Sequence, residues 1–149
     1  MKAQLLNKLF ATNAGFASVV LRVPVGIILA AHGSQKLFGW FGGYGLEGTG
    51  QWLASMGMTP GYLMALMAGS AEFFGGLALV LGLLTRPAAI VTAFTMLIAI
   101  LSVHINNGLF LANNGYEYAL ALMVATLTLA IQGSGRLSLD SQIAARLQR

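Results

Sequence analysis

Apolar residues in this chain run in long blocks instead of alternating with polar ones. Four blocks stand out, at about 16–37, 62–84, 87–104 and 116–132. Helices that are apolar all round need lipid as their solvent, because water would leave those faces uncovered. Each block is near the ~17–25 residues that cross a hydrocarbon layer, the third and fourth at the short end. The pattern therefore predicts an all-α membrane protein, a four-transmembrane-helix bundle formed as a single domain over residues 1–149, with a tail over 133–149.

The breaks between blocks carry helix punctuation. Thr59-Pro60 suits a cap followed by proline at the first helical position, and Pro87 can open the third helix without losing a hydrogen bond. Gly133-Ser134-Gly135 stops the fourth. Within the glycine-rich stretch 39–59, Thr49 is placed to cap a short helix, Gln51 to Met56, closed by Gly57. Trp40, Phe41, Tyr44 and Trp52 in this first loop suit a headgroup-level aromatic belt. Asp140 is placed to cap a short amphipathic tail helix from Ser141 onward.

Composition agrees with this. Hydrophobic residues are 57% of the 149 and charged residues only 8%, against about a quarter in soluble domains. The net charge of +4 has no soluble module to carry it, so nucleic acid is not an expected partner; membrane lipid is. Lys2, Lys8, Arg86, Arg136, Arg146 and Arg149 fall on one side of the bundle and Lys36 alone on the other. The positive-inside tendency then places both termini and the 85–87 turn in the cytoplasm, with 38–60 and 105–115 outside. There is no cysteine, which excludes disulfides, thiolate metal sites and thiol redox chemistry by this chain.

Ionisable groups inside a span cost at least about 2.5–3.5 kcal/mol near its centre, so each needs a reason. Arg22, His32 and Lys36 lie in the first span, Glu72 in the second, His104 ends the third and Glu117 begins the fourth. Counted at about 1.5 Å per residue, Arg22 lies about 21 Å inward of Lys36 and Glu72 about 18 Å inward of Pro60. Similar depth makes Arg22 and Glu72 the expected buried ion pair, a guanidinium being able to grip a carboxylate with two parallel bonds. His32, Lys36, His104 and Glu117 converge toward the outer face as a candidate ligand site. Ala68, Gly69, Gly75 and Gly76 around Glu72 allow a close neighbouring helix.

Taken in order, LRVPVGIILAAHGSQKLFG, AEFFGGLALVLGLLTRPAA, HINNGLF, GYEYALAL and GSGRLSLD resemble the DoxX family of bacterial four-span membrane proteins. The resemblance runs from about Leu21 to Asp140. It implies the bacterial inner membrane, and an accessory subunit of a quinone-linked or oxidative-stress redox system with a soluble or membrane redox partner protein. It carries no established catalytic assignment. A quinone is the cofactor it suggests. Haem ligation by His32 and His104, or a divalent metal on His32, His104 and Glu117, is permitted by ligand type but is not expected. A small-solute transporter, a non-catalytic scaffold and a homo-oligomer remain open readings of the residues.

Overall fold

The computed structural model describes residue 10, residue 12 and residues 14–147; Lys2, Lys8 and Arg149, which enter the charge argument, lie outside them. Among the described residues every regular element is helical: α1 (Ala17–Phe38), α2 (Gly45–Ser55), α3 (Gly61–Leu81), α4 (Thr85–Ala99), α5 (Glu117–Gln132) and α6 (Leu139–Leu147). α4 continues through a widened helical turn, Ile100–His104, and a tight one, Ile105–Asn107. Three helical stretches are long and apolar enough to cross a membrane, at 17–38, 61–81 and 85–107; α5 is apolar but has 16 residues. At about 1.5 Å per residue α5 is about 24 Å long, short of the ~30 Å hydrocarbon layer. The bundle thus has two ends. One carries residues 39–60 and 105–116 (the loop face); the other carries the α3–α4 turn and α6 (the turn face).

Several boundaries differ from the sequence expectation. α2 begins at Gly45, six residues before Gln51, so Thr49 is buried inside the helix and caps nothing. Gly57, at φ +85°, does close it, with the Met58 N–H donating to the Leu53 carbonyl at 3.1 Å. Pro60 stands before the first helical residue of α3 in an extended conformation. The third span starts at Thr85, so Pro87 sits inside the first turn, where its missing N–H has no partner to lose.

α1 and α3 run antiparallel with their backbones in contact. A Cβ at Gly33 would lie 2.3 Å from the Phe73 nitrogen and 2.7 Å from the Gly69 oxygen; one at Gly76 would lie 2.5 Å from the Ala30 nitrogen. Between lipid-facing helices, close van der Waals approach replaces the hydrophobic drive, and small residues permit it. Of the small residues around Glu72, Gly69 and Gly76 face α1, whereas a Cβ on Gly75 would meet the Thr92 methyl of α4. Gly33→Ala should therefore destabilise the protein. The alanine gains about 1 kcal/mol of helix propensity, but parting two packed backbones costs about 1–3 kcal/mol. Thermal unfolding in detergent should show a lower midpoint than wild type, and Gly15→Ala, with nothing within 4 Å of its new Cβ, should show none. Equal midpoints for all three proteins would refute the close-contact account.

The tail is tied to the turn face. Asp140 does not cap its own helix: Ser138 does, its Oγ accepting from the Ser141 N–H at 3.1 Å. The buried Asp140 carboxylate instead accepts from the Leu84 N–H at 2.7 Å and the Thr85 N–H at 2.9 Å. These are orphan donors at the positive end of α4, so an anion is well placed there. Sequence position suggested the local helix; the fold delivers the carboxylate across 55 residues to another one.

Candidate functional site

Arg22 and Glu72 are not paired. Arg22, 1% exposed, donates through Nε to the Ser134 carbonyl at 3.0 Å, through Nη1 to the Leu79 carbonyl at 3.0 Å and to the Val80 carbonyl, and through Nη2 to the Leu137 carbonyl at 2.7 Å. The depth expected from residue counting does not hold, because Lys36 and Pro60 are not level. A Cβ on Gly69 would sit 3.2 Å from the Lys36 Cβ, so Lys36 lies opposite Gly69. Pro60 is nine residues beyond it, about 13 Å further out. The extra length is the first two turns or so of α3, against which α2 packs, with a Cβ on Gly61 only 2.0 Å from the Gly50 oxygen. Arg22 consequently lies level with Gly82, ten residues from Glu72 along α3.

Glu72 pairs with Lys36. Nζ and Oε2 are 2.5 Å apart, the carboxylate side chain 4% exposed and the lysine 27%. Helical side chains lean toward the N-terminus of their own helix. In antiparallel α1 and α3 this tilts Lys36 inward and Glu72 outward, so the two close the remaining turn between them. Burial makes the carboxylate charge costly and the ammonium offsets it.

His32, one turn before Lys36 on α1, is half-buried and meets Tyr118 at the start of α5. The ring centroids are 5.8 Å apart and His32 Nε2 lies 3.5 Å from the Tyr118 hydroxyl, a long hydrogen bond. Since His32 and Lys36 are one turn apart on α1, the His32–Tyr118 pair adjoins the Lys36–Glu72 pair. Three helices thus bring a carboxylate, an ammonium, an imidazole and a phenol to one level near the loop face. Tyr118, 37% exposed, opens this cluster to the surroundings.

The other two expected members stand apart and organise the loop. His104 Nδ1 lies 2.8 Å from the Asn114 carbonyl, which also accepts from Asn107 Nδ2 at 3.2 Å. Glu117 Oε1 accepts from the Leu111 N–H at 2.6 Å. The candidate four-residue site therefore divides: His32 and Lys36 belong to the Glu72 cluster, while His104 and Glu117 bind backbone of 111–114. Among the described residues no three His, Asp or Glu side chains are grouped to hold a metal ion. Tyr118 was missed as a site residue because tyrosine at a span end reads as an interfacial anchor. Its helical spacing from Glu117 is the signal that could have separated them, since adjacent positions point about 100° apart.

The DoxX family model matches residues 17–105, more than half of the chain and four of the six helices. The chain belongs to the DoxX family. It is 34% identical over 123 residues to "Putative oxidoreductase CatD" of Bacillus subtilis, covering 83% of this chain and 84% of that protein. It is 37% identical over 125 residues to "Inner membrane protein YqjF" of Escherichia coli, covering 78% and 90%. No solved structure matches the chain significantly. Within this DoxX protein the family match includes Arg22, His32, Lys36, Glu72 and His104; Glu117 and Tyr118 lie beyond it.

Proposed function

We propose that this DoxX protein is an accessory membrane subunit of a redox system, with the Glu72–Lys36–His32–Tyr118 cluster serving the headgroup of a membrane quinone. The observation that carries the reading is the meeting of a buried ion pair with an imidazole–phenol pair at the level of one exposed tyrosine. The donor set fits such a headgroup: His32, Tyr118 and Lys36 can each hold an oxygen, and histidine and carboxylate can exchange protons near neutral pH. Bound there, a quinone would supply two-electron, two-proton redox chemistry. The residues would orient the headgroup and hold or release protons at His32 Nε2 and the Glu72 carboxylate. Without cysteine the chain supplies no thiol electrons, so a partner redox protein would deliver them. The name of the Bacillus relative supports an oxidoreductase setting.

The same reading puts the protein in the bacterial cytoplasmic membrane with the turn face inward. Arg86, Arg136 and Arg146 lie toward that face and Lys36 toward the other, and the Escherichia relative is named as an inner membrane protein. Arg22, by contrast, favours a structural role for itself, since its donors are all directed at backbone carbonyls.

Purified wild-type protein, analysed by mass spectrometry and titrated with short-chain benzoquinone and naphthoquinone, should retain quinone and bind at least one of the two saturably. Loss of a charge-assisted bond worth about 1.5–3 kcal/mol should weaken binding roughly 10–150-fold in His32→Ala and Glu72→Gln. A wild-type protein that neither retains nor saturably binds quinone ends this proposal.

A further inference from the structure

The polar cluster is connected to one end of the bundle and sealed from the other. On the loop-face side, Gly33, opposite Phe73, is five residues from the end of α1, about 7–8 Å. That interval contains the partly exposed Lys36, and His32 and Tyr118 flank it. On the turn-face side, ten residues of α3, about 15 Å, separate Glu72 from Gly82. There the α1–α3 seam is backbone against backbone at Gly26 and Gly76, a Cβ on either falling 2.6 Å from the other's oxygen. Leu29, Leu79, Ala89 and Leu129, all 0% exposed, fill the space around it.

Among the described residues, the buried hydroxyls along this stretch of α4 and α5 are those of Thr92 and Thr126, and both are committed; Thr85, Ser18, Ser134 and Ser138 are buried beyond them, at the turn-face end. Thr92 Oγ1 donates to the Ala88 carbonyl at 2.9 Å and Thr126 Oγ1 to the Leu122 carbonyl at 2.9 Å, each on its own helix. Lys36 of α1 is the charged group bonded to Glu72, with His32 one turn from it on α1 and beside Tyr118 of α5; α4 has no titratable side chain between Pro87 and Ile100. Arg22, the next ionisable group inward on α1, is enclosed by four carbonyls.

We infer that Glu72 is a proton-loading group with one-sided access, exchanging protons with the loop face through the His32–Tyr118 pair and not with the turn face. One proton leaves water at the loop face and reaches His32 Nε2. Tyr118 gives its hydroxyl proton onward and regains one from His32, so that pair ends unchanged. The Glu72 carboxylate ends as the neutral acid and Lys36 stays an ammonium. The inference rests on the proposed function only for what the proton serves: protons taken up or released in quinone chemistry here would be exchanged with the loop-face compartment.

The test needs neither quinone nor partner, so it separates the two ideas. Full-length protein is reconstituted in one orientation in lipid vesicles, and the pH on each side is set independently. The infrared band of the protonated Glu72 carboxyl, assigned by its loss in Glu72→Gln, is followed in time. The band should track the loop-face pH and ignore the turn-face pH. His32→Ala and Tyr118→Phe should slow its response roughly tenfold or more, a modest share of what a positioned proton carrier contributes. Tyr118→Phe keeps the ring, so packing is retained. Thr92→Val and Thr126→Val should leave the sidedness intact. A band that follows the turn-face pH, follows both sides equally, or does not change with pH overturns the inference. So does an unaltered rate in both relay variants.

Discussion

Lys36→Met should destabilise this protein by about 3 kcal/mol or more, Glu72→Gln by about 1 kcal/mol, and the double change Lys36→Met with Glu72→Met by less than Lys36→Met alone. The order follows from unequal burial. The carboxylate side chain is 4% exposed and the lysine 27%. Removing the ammonium leaves the buried carboxylate uncompensated, and either holding its charge or protonating it costs stability. Removing the carboxylate leaves a flexible ammonium two residues from the end of α1, free to extend outward. Replacing both deletes the charge together with its compensation, and an apolar pair of similar size packs without desolvation cost. Unfolding midpoints of the four proteins in one detergent give the comparison. If Glu72→Gln proves the most damaging, or if the double variant is no better than Lys36→Met, the pair is not a compensated buried charge.

The architecture was legible because it rests on composition. Lipid-crossing blocks have no other solvent, and the glycine and proline breaks bound the long helices to within a few residues, though not the start of α2. The partnerships were less legible, because they depend on axial register. Reckoning depth from loop ends assumes that neighbouring spans end level, and α3 violates this by carrying a platform for α2 beyond the end of α1. That offset moved Glu72 from the level of Arg22 to that of Gly33 and gave it Lys36. Asp140 departs from its expected role for a related reason. A carboxylate just ahead of a helix suggests its own cap, whereas here the chain folds back so that it caps α4. His104 and Glu117 have ligand-type side chains, but neighbouring backbone groups absorb them, an outcome residue type alone does not reveal.

Arg22→Ala should be the more damaging single substitution, costing about 4 kcal/mol or more, a size tied to breaking a buried hydrogen-bonded network. The α3 C-terminus leaves its last carbonyls without helical partners, and its dipole end is negative. One guanidinium answers both needs, reaching the carbonyls of Leu79 and Val80 on α3 and of Ser134 and Leu137 ahead of α6. Ser134 and Ser138 are buried beside it, and Gly82, at φ +62°, has no room for a Cβ, which would lie 2.5 Å from that of Ser138. Alanine would leave these acceptors buried with one partner fewer and a void where the side chain was. Arg22→Lys should recover less than half of the loss, since a compact ammonium cannot span carbonyls from two segments. Adding Glu72→Met to Arg22→Met should recover none, because Glu72 is not the partner. Loosening should appear first at the tail, as faster amide exchange and protease cleavage over 133–138, before the helices separate. Wild-type protection of that segment in Arg22→Ala, or rescue by the Glu72 change, would show that the guanidinium does not hold α3 and the tail together.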